Sequence, residues 1–291
     1  MNTLIEIIRK NILKSKHALK MALLGLIAFS CTDVVDISVP TEAPRLVIEA
    51  SLGWEKGSLG NNQTIKLSLS TPFYDLTPSP VTGASVRVEN VTSGDVFVFE
   101  DQQDGRYTTA DFEPIINNTY NLEVIYNNET YTAQETLIPV PEIDRIEQSR
   151  IGGSDEEELD LTIYFNDPEN EVNFYYATFL EGNDLLPLRV VLSDEFTNGN
   201  EMSIFYEENE ADQADEILPG DMVDIYLFGI TEEYYDFLDS LIEQGDNAGD
   251  PFATVPTRLK GNFINPENPD DYAFGYFRVT EFVNEVYTFV E

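Results

Sequence analysis

The chain has 291 residues, and its 16 Lys and Arg stand against 54 Asp and Glu for a formal net charge of −38. That balance excludes a nucleic-acid binder, whose phosphate contacts require Lys and Arg, and excludes charge-driven adhesion to anionic lipid. Apolar residues make up 42% and aromatics 12%, which suffices for packed cores and argues against disorder despite the acidity.

The first thirty residues differ from the rest. Arg9, Lys10, Lys14, Lys16 and Lys20 precede the apolar run Met21 to Ser30. About ten apolar residues fall well short of the roughly 20 that span a bilayer. A basic lead followed by a short apolar run and a small residue is the pattern of a secretory signal. Ser30 is followed at once by Cys31, the single cysteine. That order resembles the bacterial lipobox, in which the cysteine is lipidated and the signal is cut just before it. The expectation is a signal peptide over 1–30, lipid on Cys31 and a tether over 31–43, so that the membrane is a partner through the lipid alone.

Cleavage there leaves 11 Lys and Arg against 53 acids, a net charge of −42. Spread over a surface, such acidity means solubility and an affinity for cations or a basic partner. The one histidine, His17, falls in the signal. The remainder therefore has neither histidine nor a free thiol, which removes Ser-His-Asp and Cys-His nucleophilic sites and His or Cys zinc sites. Lys56, Lys66 and Lys260 are the lysines left, and none follows a serine at Ser-x-x-Lys spacing. Carboxylate chemistry and oxygen-ligand metal binding survive the elimination.

From residue 44 to 138 short runs alternate apolar and polar residues, at Arg45–Ser51, Thr64–Ser70, Ala84–Val91, Asp95–Glu100, Asn118–Tyr126 and Glu129–Thr136. Period-two alternation turns one face of each strand inward, and Ser93-Gly94 and Asn127-Asn128 are hairpin turns. Strands at this spacing predict a β-sandwich. Val81-Thr-Gly-Ala-Ser-Val-Arg-Val88, Asp104-Gly-Arg-Tyr107 and Thr119-Tyr-Asn-Leu-Glu-Val124 resemble the strand lead-in, turn and following strand of transthyretin-like or carboxypeptidase-regulatory-like modules. In that reading the Tyr107 ring caps the sandwich end, and these residues are framework.

Pro139-Val-Pro141 separates this part from a second β-rich domain over 142–291. Strands are expected at Glu158–Phe165, Val172–Phe179, Met202–Tyr206 and Met222–Phe228. Thr231 is placed to cap a helix over about 231–244, with Glu232 and Glu233 at its positive end. Tyr234, Phe237, Leu238, Leu241 and Ile242 fall on one face, which predicts packing on a sheet. Ala273–Thr280 and Glu285–Val290 are expected as two closing strands. The fold class is thus mainly β, an Ig/transthyretin-like sandwich plus a β-rich domain carrying one amphipathic helix.

The order of these features resembles one family. A lipobox precedes an L-V-I-E strand, a G-A-x-V-x-V sandwich, Y-x-A-x-E-T before P-x-P, and D-P-x-x-x-x-N-x-Y-Y. Then come a Y-x-F-L helix and, at the end, Asp250-Pro-Phe252, Asn262 and Gly275-Tyr-Phe277. It is similar to the Bacteroidetes outer-membrane lipoproteins that carry the domain of unknown function numbered 4249. One departure is Ala50-Ser-Leu-Gly-Trp54, where the family tends to place Gly-Trp directly after the strand. The resemblance implies lipid anchoring in the outer membrane. It also implies an accessory role beside a TonB-dependent receptor in nutrient uptake, with Thr32-Asp-Val-Val-Asp36 similar to the export signal for the cell surface.

An alternative is a structural or adhesive sandwich that binds glycan, protein or cations, for which Trp54 in the Gly-rich loop up to Asn62 is the candidate contact; its competing role is packing on the sandwich rim. A carboxylate glycosidase would need two acids about 5 to 9 Å apart across a cleft, and no pair is singled out, so the expectation is no enzyme. No organic cofactor is called for. Asp167-Pro-Glu-Asn-Glu171 and Asn265-Pro-Glu-Asn-Pro-Asp-Asp271 offer clustered oxygens of the kind calcium takes. Neither has EF-hand spacing, and solvated turns are the simpler expectation.

Overall fold

The computed structural model describes residues 43–290 except 73, 74, 76, 152–158, 170, 183, 208–216 and 247–258. The expected signal, the tether, Cys31, Thr32–Asp36 and Asp250–Phe252 lie outside the described residues. Residues from Ala43 onward form one compact unit.

Alternation builds six strands of the first half where they are expected, and two short strands, over 79–80 and 106–109, join them unexpected. The strands are β1 (Leu46–Glu55), β2 (Gln63–Leu69), β3 (Ser79–Pro80), β4 (Ser85–Asn90), β5 (Val96–Asp101), β6 (Arg106–Thr109), β7 (Thr119–Tyr126) and β8 (Glu129–Thr136). Their inward positions, such as Ile48 and Leu52 of β1, Val86 and Val88 of β4, and Leu122 and Val124 of β7, share one buried core. Asn127 and Asn128 both hold positive φ in the tight turn between β7 and β8, a conformation asparagine tolerates better than most residues. Tyr107 lies fully buried in the core. Its hydroxyl donates to the Val81 carbonyl at 3.1 Å and accepts from the Ala84 N–H at 3.1 Å. It pins the lead-in to β4, so the motif residues there are framework.

The second half contributes β9 (Arg145–Ser149), β10 (Asp160–Asn166), β11 (Phe174–Glu181), β12 (Leu188–Ser193), β13 (Glu201–Tyr206) and β14 (Met222–Ile230). Helix α1 (Glu232–Asp246) and β15 (Phe277–Thr288) follow. The two expected closing strands are one: Glu281 and Asn284 interrupt the apolar pattern but not the ladder, because Glu281 bonds the Val140 N–H and Asn284 the Ile225 carbonyl of β14. β9, β10 and β13 form a separate three-stranded sheet, whose inner face meets β11 and β14 across a second core of Ile163, Phe165, Tyr175, Phe179, Ile225 and Leu227. On the opposite face of β11 and β14, Tyr176, Phe228 and Ile230 pack with Tyr234 and Leu238 of α1. Thr231 stands at the cap, its Oγ1 accepting from the Tyr234 N–H at 3.4 Å. Leu241, expected on the packed face, is 46% exposed. Among the described residues the chain is mainly β with one helix.

β15 joins the halves. It runs parallel to β1, from Ala50 beside Phe277 to Glu55 beside Phe282, and then antiparallel to β14 from Phe282 beside Phe228 onward. A single path of strands therefore runs β12-β11-β14-β15-β1-β2-β6-β5-β4-β7-β8, with β3 attached to β2. Along one face of β15, Phe277 and Val279 belong to the first core and Val283 to the second. Between them lies buried Glu281, which accepts from the Val140 N–H at 2.9 Å and stands 3.7 Å from Lys56 Nζ. Lys56 also donates to the Val140 carbonyl. The P-x-P segment is thus clamped at the seam, with Leu137 in the first core and Val140 in the second.

The start of β15 has its own clasp. Asn262 accepts from the Phe277 N–H and donates to the Phe277 carbonyl, both at 2.8 Å. Gly275 holds φ +115°, and a Cβ there would lie 2.0 Å from the Ile48 carbonyl oxygen of β1. Strain and backbone overlap act together at this position. Gly275→Ala is expected to destabilise the fold by about 3 kcal/mol or more, read as a lower urea midpoint at unchanged slope; a midpoint like that of the parent would show that β1 and β15 need not approach so closely.

Candidate functional site

Of the two residues singled out in the sequence, Cys31 lies outside the described residues. Trp54 sits near the end of β1, half-buried, and packs on the first core. Its Nε1 donates to the Ser58 carbonyl at 3.0 Å. A Cβ at Gly60 would fall 2.5 Å from its ring, so the glycine of this loop leaves room for the indole. Leu59 beside it is 82% exposed.

The two acidic turns behave differently. In Asn265–Asp271, Asn265 Oδ1 accepts from the N–H groups of Glu267 and Asn268, and its Nδ2 donates to Glu129. Asp271 accepts from the Tyr131 hydroxyl at 3.0 Å and stands 3.9 Å from Arg45. Its polar groups are turned on one another.

At Asp167 they are not. The loop from β10 to β11 meets the loop from β12 to β13 at one end of the second sandwich, where the Gly199 N–H donates to Asp167 Oδ2 at 2.8 Å. Tyr175 of β11 donates its hydroxyl to Asp167 Oδ1 at 2.5 Å. Asp194 enters from the far side and accepts from the Asn173 N–H at 2.8 Å through Oδ1, and its own N–H returns a bond to the Asn173 carbonyl. Asp167, Asn173, Tyr175 and Asp194 are all buried. Burial, with the Asp167 carboxyl alongside, pushes the Asp194 carboxyl up; burial and the bond to Asp167 push the Tyr175 hydroxyl up as well. Asp194 Oδ2 and Asn173 Oδ1 are buried with no hydrogen-bond partner among the described residues. Three of the four residues belong to the D-P-x-x-x-x-N-x-Y-Y motif. Asp194, in Leu192-Ser-Asp-Glu195, carries no sequence signal and arrives only because the hairpin of β11 and β12 returns it to Asn173.

The family profile described as "Domain of unknown function (DUF4249)" matches residues 32–284. The chain belongs to that family. No curated protein matches this DUF4249 chain. Solved structures similar to it include a two-domain fibronectin type-III segment of chicken tenascin, at 12% identity over 65% of this chain and 91% of that one, TM-score 0.20. Domains FN1–FN3 of chicken CNTN1 are similar at 12% identity over 67% of this chain and 63% of that one, TM-score 0.25. Such likenesses say nothing of ligand or partner.

A further buried acid of the DUF4249 chain lies in Tyr131-Thr-Ala-Gln-Glu-Thr136. Glu135 accepts from the Thr136 N–H at 2.8 Å and from the Thr231 hydroxyl at 3.2 Å, linking β8 to the start of α1. Burial, opposed by those two bonds, pushes it up to about 7, with Glu233 adding repulsion. The folded value lies above the ordinary one of 4.5, so the associated stability is full below about pH 4.5 and is lost as pH rises through about 7. Glu135→Gln keeps an uncharged group there at every pH. It is expected to match the parent at pH 4.5 and to exceed it at pH 8 by up to about 3 kcal/mol, measured by urea unfolding at both values; a difference independent of pH would show that Glu135 does not titrate in this range.

Proposed function

We propose that the chain is a lipid-anchored outer-membrane lipoprotein of the Bacteroidetes, held through Cys31 and facing the cell surface. In this role it is a binding component accessory to a TonB-dependent nutrient receptor, and not an enzyme. The observation that carries this reading is the arrangement of Ser30-Cys31 after a basic and apolar lead and immediately before the DUF4249 region over 32–284. Two features lend support. The motif residues Tyr107, Asn262 and Gly275 hold backbone in place, which suits a framework presenting loops. The part after Cys31 has no histidine or cysteine for nucleophilic chemistry.

The test is an affinity pull-down of the tagged full-length protein from crosslinked, detergent-solubilised outer membrane. A TonB-dependent barrel is expected among the captured proteins, and expected to be lost when residues 43–291 are deleted with the anchor kept. Capture of no barrel from well-expressing cells would overturn the accessory role, and protection of the protein from protease on intact cells would overturn surface display.

A second reading, an adhesive module for glycan, rests on the half-exposed Trp54 beside exposed Leu59. Trp54 is the chain's one tryptophan, so its fluorescence reports on that loop alone. A saturable change on adding glycan, with the heat of glycan binding in calorimetry lost in Trp54→Ala, would support this reading, and an unchanged spectrum would count against it.

A further inference from the structure

The Asp167 and Asp194 carboxyls are neighbours that act on each other, brought together because Asn173 bonds Asp194 and Tyr175, two residues on, bonds Asp167, in a place closed to solvent, Asp194 being 0% and Asn173 8% exposed. Two like charges so placed repel strongly, because the screening of bulk water is missing. Native proteins resolve such a pair with a counter-charge or with a proton held on one carboxyl. Among the described residues no Lys or Arg forms an ion pair with either: Arg145, for example, is taken by Glu147 and Glu201. Glu169, Glu171 and Glu195 on the same two loops are exposed and add to the negative field.

The orphan atoms carry the point further. Asp194 Oδ2, on the side chain that adjoins Asp167, has no donor among the described residues, and neither has Asn173 Oδ1, on the residue that bonds Asp194 through both its N–H and its carbonyl. With the carboxyl ionised both atoms are acceptors only, so the group that would complete them is a donor or a cation. Everything converging here is oxygen, two carboxylates and an amide, with no nitrogen or sulfur ligand; this is the donor set of a hard divalent ion. No three Asp, Glu, His or Cys side chains form a metal cluster among the described residues, and the third donor here is an amide.

We infer that Asp167, Asp194 and Asn173 form a divalent-cation site of the calcium type at the end of the second sandwich, tying the loop before β11 to the loop after β12. Tyr175 and the Gly199 N–H are positioning groups, each bonding one oxygen of the Asp167 carboxylate.

The test uses the purified chain from Ala43 to Glu291, the compact unit, stripped with chelator and titrated with calcium chloride to about 10 mM. That lies above the roughly 10⁻⁴–10⁻³ M dissociation constants of extracellular calcium modules. A saturable rise in melting temperature of a few degrees is expected. Asp194→Asn replaces one orphan oxygen with a donor that Asp167 can accept, so it should melt at or above the parent without calcium and lose the calcium response. Terbium, a calcium mimic, should show luminescence sensitised by Tyr175 that calcium displaces and Asp194→Asn abolishes. An unresponsive parent, or a calcium response retained in full by Asp194→Asn, would overturn the site, the latter assigning the effect to diffuse binding by the acidic surface. If Asp194→Asn fails to fold, Asn173→Ala replaces it, with the terbium signal expected to weaken and an undiminished signal counting against the site.

Discussion

The parallel pairing of β1 with β15 is the constraint on which the rest of the molecule depends. It brings the first described strand and the last into one ladder, so the two cores lie along a single strand, and everything between them must return to that seam. The local chemistry follows from this need. Gly275 lacks a side chain because the Ile48 carbonyl occupies its space, and Asn262 supplies both bonds that the Phe277 backbone needs where the ladder begins. Glu281 marks the boundary between cores, where an apolar residue would leave the Val140 N–H without an acceptor.

Around that seam the second half is layered in a way that the first is not. Sheet strands β11 and β14 are covered on one face by the β9, β10 and β13 sheet and on the other by α1. Being buried on both faces, they read as near-continuous apolar runs, as in Tyr175-Tyr-Ala-Thr-Phe179. The loops at one end of this layered block carry Asp167, Asn173 and Asp194. A rigid block holding polar loops at its end is a common arrangement for binding.

Much of the fold was legible because alternation is a strong signal. Ser85–Asn90 and Thr119–Tyr126 follow it closely in sequence and in burial, and Thr231 with two following glutamates marked the helix start. Four strands carry no such signal: β3 and β6 are two and four residues long, too short to show a period, and β9 and β12 lie at sheet edges with no buried residue in either. In sequence β15 resembles two strands because Glu281 looks like a break, and only the clamp to Lys56 and Val140 explains a buried acid there. At the acidic end, Asp167 was visible within a run of acids and Asn173 and Tyr175 within a motif, but their convergence was not. Asp194 had no signal at all, since its importance arises from a hairpin that returns it to Asn173.

The clasp between β1 and β15 also has a meaning in time. Phe263, Ala273, Phe277 and Val279 complete the core that Leu46 to Leu137 begins, so the first of the described strands wait for the last. Contacts so distant along the chain form slowly, since a long loop must close before they reward it. A growing chain therefore cannot seal its first sandwich until nearly all of it has emerged from the ribosome. Until then its strand edges stay unpaired and its apolar faces open, a state that depends on chaperones for protection.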